Sequence, residues 1–275
     1  KTMPELPEVE NLVRQLKSSI LNHTILNSLI LSPRLRREIP KDLSTNTTDT
    51  KIKAITRRAK YIIMTLDNPY SLIIHLGMTG RINIKKGTYA AEKHDHMIMH
   101  LSDNLTMVYN DPRRFGLIEL AKTRSLYEHK LFNHLGVEPL SEDFNIAYLL
   151  TKLKDKKSAI KNVIMNNEII VGVGNIYASE ALFLSHIRPD RIAGSITENE
   201  VELLVESIKK ILQQAIDYGG SSIRDFVSID NTKGGFQKLF KVYGRRDIPC
   251  FDCRSIIEKI TQAGRSSFFC PKCQK

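Results

Sequence analysis

Hydrophobic residues are spaced in two different ways along the chain, and the change of spacing divides it into two parts. From about residue 24 to residue 120, apolar positions form short strand-like runs separated by turn residues such as Asn68-Pro69. After about residue 125 they recur with the period of a helix, and Gly219-Gly220 ends the last helical segment. The helical segments predicted there are 145–154, 156–166, 174–187 and 197–218.

A further helix is predicted near the start of the chain. Pro7 suits the first turn of a helix, and five apolar residues follow it with helical spacing. These residues are Val9, Leu12, Val13, Leu16 and Ile20. The strand-like half favours a β-sandwich or barrel over alternating βαβ units. The predicted fold class is therefore α+β, with the sandwich first and a helical domain after it.

Three segments are expected along the chain. A sandwich domain is predicted over 1–130, a helical domain over 131–240 and a small module over 241–275, with the first boundary somewhere in 121–145. Residues 221–244 are polar and include the paired glycines Gly234-Gly235, which predicts a long mobile loop.

All four cysteines lie in the last 26 residues, in the pattern C-x2-C-x16-C-x2-C. Two residues between thiolates allow one turn to present both sulfurs to one ion, and a β-hairpin can return the second pair. The pattern predicts one structural Zn²⁺ on Cys250, Cys253, Cys270 and Cys273; disulfides or free thiols are the alternatives. Such a site has no open coordination position, so the ion would hold shape and do no chemistry.

Composition excludes several classes of protein. Hydrophobic residues make up 41% of the chain, and no apolar run approaches the roughly 18 residues of a membrane span. No secretory leader is visible, so a cytoplasmic, reducing location is expected. The formal charge is +11, with basic clusters in 31–60 and 240–275. These clusters favour a polyanionic partner, although they could also be two solvated surfaces.

The first residues carry candidate chemistry. If the chain starts at Met3 and that Met is removed, Pro4 has a free secondary amine, which can attack an aldehyde-like sugar carbon to form an iminium ion. Glu5 beside it could then move a proton of the sugar ring. An ordinary helix start with carboxylates near its N-terminus explains the same residues.

A second candidate site lies in the segment VGVGNIYASE. Gly172 and Gly174 allow close approach of the backbone, and Asn175 is predicted to open a helix, whose N-terminus binds anions. A Gly-x-Gly can also suggest a nucleotide cofactor, but no βαβ pattern precedes it, so none is expected.

Several motifs occur together in one order. They are PELPEVE at 4–10, RRAKY around Lys60, HLGMTG at 75–80, KHDH at 93–96, DPRRFG at 111–116, VGVGNIYASE at 171–180, VYGR at 242–245 and the two CxxC pairs. On these motifs the whole chain resembles the bacterial formamidopyrimidine-DNA glycosylases. The related endonuclease VIII group shares the fold, but it usually opens with PEGPE and lacks the RRF sequence.

The resemblance implies an activity and its catalytic residues. A bifunctional DNA glycosylase and AP lyase is expected, which removes oxidised purines such as 8-oxoguanine and formamidopyrimidines through an N-terminal proline iminium and cuts the strand by β,δ-elimination. Pro4 matches the family's nucleophile and Glu5 its neighbouring carboxylate. Lys60 matches the proton donor in β-elimination, and Arg265 matches the zinc-hairpin arginine assigned to δ-elimination.

The resemblance also implies how damaged double-stranded DNA is bound, by a protein that acts as a monomer. Met78, Arg113 and Phe115 match the wedge that fills the hole left by a flipped base. Asn175 matches the phosphate-binding residue of the helix–two-turns–helix element, and the loop 221–244 matches the one that closes over the base. His75, His94 and Lys156 match further DNA contacts, although either His could be an ordinary buried residue, and His94 with His96 could suggest a metal pair.

Three rival functions remain open. An enzyme of the same fold could prefer oxidised pyrimidines, and a zinc-ribbon adaptor could bind nucleic acid without using Pro4. Lys1 and Thr2 precede Met3, and if they persist, the Pro4 nitrogen is acylated and the protein can only bind damage.

Overall fold

The computed structural model describes residues 3–221 and 234–275. These residues divide into two compact units. The first unit holds residues 3–133 together with 219–221 and Gly234. The second holds His134–Tyr218 and Gly235–Lys275.

The first unit opens with helix α1, Leu6–Ile20. Pro7 lies in its first turn, where the missing N–H costs nothing, and the Glu8 carboxylate accepts the backbone N–H of Glu5 at 3.0 Å. The apolar stripe predicted after Pro7 is buried in the core of this unit. The helix thus begins immediately after the candidate residues Pro4 and Glu5.

Eight antiparallel strands follow α1 in this unit. They are β1 Thr24–Ile30, β2 Thr50–Arg58, β3 Tyr61–Leu66, β4 Tyr70–His75, β5 Arg81–Lys86, β6 Asp95–Leu101, β7 Leu105–Asn110 and β8 Leu117–Lys122. Their order is β5-β7-β6-β1-β2-β3-β4-β8, and β1 pairs with β2 over two residue pairs only. This short ladder divides the strands into two groups of four, whose apolar side chains share one core with α1. The prediction of a β-sandwich in an α+β protein is confirmed.

Local details of this unit differ from the sequence pattern. Strands β2 and β3 form a hairpin that turns at Ala59-Lys60, where Ala59 has a φ of +52°. Strand β5 was not predicted, because its sequence RINIKK is mostly polar and it lies at the edge of the strand order. The short helix α2, Leu43–Thr47, was also not predicted.

The second unit is helical, as the apolar period predicted. Its helices are α3 Ile146–Leu153, α4 Ile160–Ile164, α5 Asn175–Leu184 and α6 Glu198–Asp217. Helix α6 starts from a capping box between Thr197 and Glu200 and ends before Gly219 and Gly220, which have φ values of +78° and +80°. Short 3₁₀ helices occur in this unit at Ala193–Ser195 and Phe236–Leu239, and in the first unit at Ser102–Asn104 and Thr123–Glu128.

The chain ends in a two-stranded hairpin of β9, Glu258–Gln262, and β10, Arg265–Phe269. Half of the predicted loop 221–244 lies outside the described residues, since 222–233 are not part of them. Among the described residues, no helix is both long and apolar enough to cross a membrane.

Candidate functional site

The first candidate residues lie at the start of α1. Pro4 and Glu5 are buried, and they are followed by Glu8, which is also buried. One Glu8 oxygen accepts the N–H of Glu5, and the other accepts both the N–H and the hydroxyl of Ser221, at 2.7 and 2.8 Å. Glu8 therefore ties the residues next to Pro4 to the last described residue before 222–233. Sequence analysis missed this role, although the Glu-x-x-Glu capping spacing was a signal for it.

Lys60 and His75 interact electrostatically in the same unit. Lys60 is half-buried in the turn between β2 and β3, and His75 is the last residue of β4 and only 9% exposed. Burial lowers the pKa of His75 to about 3, with the charges of Lys60 and Arg36 adding to the effect. Its Nδ1 accepts the N–H of Gly77 at 3.0 Å, so the neutral ring carries its proton on Nε2. His75 is thus a neutral ring with one N–H donor, on Nε2.

The residues that match the wedge lie on two adjacent loops. Met78 is half-buried between β4 and β5, while Arg113 and Phe115 are exposed between β7 and β8. The Arg113 guanidinium lies 4.5 Å from the centre of the Phe115 ring, and Phe115 is 41% exposed. An exposed aromatic stacked on a cation is suited to contact bases.

Asp111, at the head of DPRRFG, was missed as a site residue. Its side chain is fully buried and accepts hydrogen bonds from the hydroxyl of Thr79 and from the backbone N–H groups of Arg113 and Gly116. The motif was interpreted through its arginines, and only the fold shows that Thr79 meets Asp111.

The structure separates the two histidines considered as a metal pair. His94 is exposed just before β6, with a φ of +74°, whereas His96 is buried and its Nε2 lies 2.8 Å from the carbonyl oxygen of Asp111. Within residues 3–221 and 234–275, the one group of three or more metal-ligating side chains consists of the cysteines.

In the second unit, the candidate phosphate site lies at the start of α5. Asn175 is the first residue of that helix, after Gly174 in extended backbone. The buried Lys161 donates to the Asn175 Oδ1 at 2.7 Å, to Ser267 Oγ at 2.8 Å and to the carbonyl oxygen of Ser266 at 3.1 Å. The bond to Oδ1 orients the Asn175 amide so that its NH₂ remains as a donor for an anion.

Lys161 also connects Asn175 to the hairpin. Ser266 and Ser267 follow Arg265 in β10, and Arg265 itself is exposed next to the turn Ala263-Gly264. Lys161 was missed because a lysine in a helical segment is ordinarily exposed, and here it is 1% exposed. Lys156 is exposed on the turn between α3 and α4.

A buried carboxylate holds the chain before the hairpin. Glu180, 2% exposed, accepts the backbone N–H groups of Lys241, Val242 and Tyr243 at 2.8 to 3.0 Å. Burial raises the pKa of Glu180, and the three N–H groups oppose that rise. The motif VYGR is therefore held on α5 through the last residue of VGVGNIYASE.

The four cysteines fit a zinc ion. Their Sγ atoms lie within 4.8 Å of one another, with 4.0 Å between Cys250 and Cys273 and 3.4 Å between Cys253 and Cys270. A tetrahedron with Zn–S bonds of about 2.3 Å has edges of roughly 3.8 Å, so the spacing suits one ion. None of the four is in a disulfide. The prediction of a single structural zinc is confirmed by this cluster and by the family match to a zinc finger described below.

Comparisons with known proteins agree with this architecture. Three family models match in order: the formamidopyrimidine-DNA glycosylase N-terminal domain over 3–118, its H2TH domain over 135–227, and the zinc finger found in FPG and IleRS over 247–275. The fold and the site therefore define a zinc-finger DNA glycosylase of DNA repair. The chain is 46% identical over 272 residues to the formamidopyrimidine-DNA glycosylase of Rickettsia felis, covering 99% of this chain and 98% of that protein. The chain belongs to the formamidopyrimidine-DNA glycosylase family.

Solved structures show the same fold. A mutant of the Lactococcus lactis FPG in complex with DNA containing Fapy-dG superposes with a TM-score of 0.92 at 35% identity, covering 99% of this chain and 100% of that one. MutM in complex with DNA containing carbocyclic 8-oxo-G gives a TM-score of 0.91 at 36% identity, with the same coverage.

Proposed function

We propose that this protein is a bifunctional DNA glycosylase and AP lyase that removes oxidised purines from duplex DNA. The observation that carries the proposal is Pro4 directly before Glu5 at the start of α1, in a chain whose relatives bind Fapy-dG and 8-oxo-G in DNA. An imino acid followed by a carboxylate supplies a nucleophile and a group that can move a proton.

The reaction begins when the Pro4 nitrogen uses its lone pair to attack C1′ of the damaged nucleotide. The bond from C1′ to the base breaks, the base leaves with a proton, and the sugar ring opens as an iminium ion forms. Glu5 serves the ring oxygen as proton donor. The iminium ion draws electrons from C1′, which makes the C2′ proton acidic.

Strand cutting follows from that acidity. Loss of the C2′ proton expels the 3′ phosphate in β-elimination, and loss of the C4′ proton then expels the 5′ phosphate in δ-elimination. Lys60 moves protons in the first elimination, and Arg265 stabilises the phosphate in the second. The zinc ion, held by four thiolates, keeps the hairpin folded and leaves the reaction to these side chains.

The nitrogen of Pro4 must be free for this chemistry. The active protein therefore starts at Pro4, after initiation or processing at Met3 and removal of that Met. If Thr2 and Met3 stay attached, the nitrogen is an amide and has no lone pair for attack.

One protein molecule acts alone on the DNA, without a nucleotide cofactor. His75, His94, Lys156 and Asn175 contact phosphates; Met78, Arg113 and Phe115 enter the duplex where the base has left. The charge of +11 supports this partner.

Borohydride trapping on a duplex with 8-oxoguanine opposite cytosine tests the proposal. The wild type with a verified N-terminal Pro4 should form a covalent adduct with the DNA. Mass spectrometry should locate the attachment at Pro4. Pro4→Gly should lower base excision by at least a hundredfold, since the secondary amine is lost. Pro7→Ala, which changes a proline three residues further on, is the matched control and should be trapped like the wild type.

Two outcomes would overturn the proposal. One is the absence of an adduct from the wild type with a free Pro4. The other is strand cutting by a protein whose Pro4 nitrogen is still acylated. Faster cutting of a thymine-glycol duplex than of the 8-oxoguanine duplex would reassign the substrate to oxidised pyrimidines.

A further inference from the structure

The two loops that carry the wedge are joined by buried hydrogen bonds. Asp111 accepts the Thr79 hydroxyl and the Arg113 N–H, at 3.3 Å, on one carboxylate oxygen, and the Gly116 N–H at 2.8 Å on the other. The Thr79 hydroxyl oxygen in turn accepts the N–H of Arg113 at 3.2 Å. Thr79 follows Met78, so the bonds run from the neighbour of one wedge residue to the backbone of another.

The two loops also approach each other closely along their backbones. A Cβ on Gly77, which has a φ of +61°, would lie 2.4 Å from the carbonyl carbon of Phe115. A Cβ on Gly116 would lie 1.7 Å from the Tyr109 hydroxyl and 2.8 Å from the carbonyl oxygen of His75. Glycine at both positions allows the backbones to approach this closely.

We propose that Asp111 and Thr79 are positioning residues that hold Met78, Arg113 and Phe115 as one preformed wedge. The inference rests on the proposed function, in which these three side chains fill the hole left by a flipped base. Both proposed positioning residues are less than one-tenth exposed, so they act through the loops and not by touching DNA.

A preformed wedge changes the energetics of flipping. Three side chains must enter the duplex together, and ordering two independent loops at that moment would cost conformational entropy. The hydrogen bonds of Asp111 with Thr79, Arg113 and Gly116, here called the clamp, form before binding and remove most of this cost. The clamp therefore matters for a paired base in a duplex and is unnecessary for a sugar already exposed in a single strand.

The clamp also affects how the opposite strand is read. Arg113 can hydrogen-bond the base left without a partner only if its backbone holds the guanidinium at a set depth. A loosened loop should bind different opposite bases more equally.

Thr79→Val and Thr79→Ser form the test pair. Val keeps the shape of the side chain but removes the hydroxyl, whereas Ser keeps the hydroxyl. Thr79→Val should lower single-turnover excision of 8-oxoguanine opposite cytosine at least tenfold and reduce the preference for cytosine over adenine as the opposite base. Thr79→Ser should keep both the excision rate and the preference for cytosine at the wild-type level. Asp111→Asn should share the defect of Thr79→Val, because an amide cannot accept all three bonds.

Trapping on a single-stranded oligonucleotide with an abasic site separates positioning from folding. Each variant should be trapped on this substrate within twofold of the wild type, because no base has to be flipped out of a duplex there. An equal loss on both substrates, or a Thr79→Val variant as fast and as selective as the wild type on the duplex, would overturn the inference. A wild type that is trapped on neither substrate would overturn the proposed function and this inference with it.

Discussion

At the scale of single residues, buried ionisable side chains hold the segments that carry the candidate site residues. Asp111 binds the backbone of Arg113, and Lys161 binds the side chain of Asn175. Glu180 binds the backbone of Tyr243, and Glu8 binds the backbone of Glu5. Each is an ionisable side chain in a buried place, and burying its polar atoms costs free energy unless hydrogen bonds compensate it. In all four cases the compensating partner belongs to one of the motifs shared with the family.

His75 provides a prediction at this scale. Its folded pKa of about 3 lies below the ordinary 6.5, so between these pH values the unfolded chain binds a proton that the folded chain excludes. The stability that His75 contributes is complete above pH 6.5 and is lost as the pH falls toward 3, by at most about 1.4 kcal/mol per pH unit. Urea unfolding of the wild type and of His75→Asn across pH 5 to 7 measures it. Asn keeps an acceptor for Gly77.

The unfolding free energy of the wild type minus that of His75→Asn should shrink as the pH falls. The other histidines are the same in both proteins, so their contributions cancel in this difference. A His75 ring that titrates near 6.5 in the folded protein by NMR would contradict the prediction.

At the scale of elements, the zinc hairpin has too few apolar residues to fold alone. Its buried residues Cys250, Ile257 and Cys270 form a small cluster with Phe183 of α5 and with Val242. The metal supplies the stabilisation that so small a core lacks.

Removal of the metal or of one ligand should therefore act on the hairpin first. Cys250→Ser should abolish binding of one zinc ion per chain, as measured by atomic absorption, and weaken affinity for an 8-oxoguanine duplex at least tenfold. The first unit has its own core, so it should keep its thermal unfolding transition. Lys259→Ala, on the same hairpin and exposed, is the control that should keep the zinc. A Cys250→Ser protein with full zinc content would refute the assigned ligand set.

At the scale of the whole molecule, we expect the excess of positive charge to favour association with DNA. A protein that neutralises phosphates releases counterions, so its affinity falls as the salt concentration rises. Lysines that contact phosphates contribute to this slope, whereas lysines elsewhere contribute little.

Lys156 is predicted to be one of the contacting lysines. The slope of log affinity against log salt is negative, and Lys156→Gln should make it shallower by about 0.9, the value expected for one lost phosphate contact. Lys17→Gln, an exposed position in the last turn of α1 outside the proposed contacts, should leave the slope unchanged. Fluorescence anisotropy at several salt concentrations measures both. Equal slopes for the two variants would remove Lys156 from the interface.

The sequence by itself determined the features that depend on neighbours along the chain. The apolar period predicted the helices and most strands, Pro7 indicated the start of α1, and the CxxC spacing predicted the zinc site. Only the tertiary structure determined which distant residues meet. Thr79 and Asp111 are 32 positions apart, and Lys161 and Ser267 are 106 apart. No local pattern encodes such pairs, because they arise when strands and helices pack. The same packing buries Asp111 and Lys161, which are residue types that ordinarily lie on the surface.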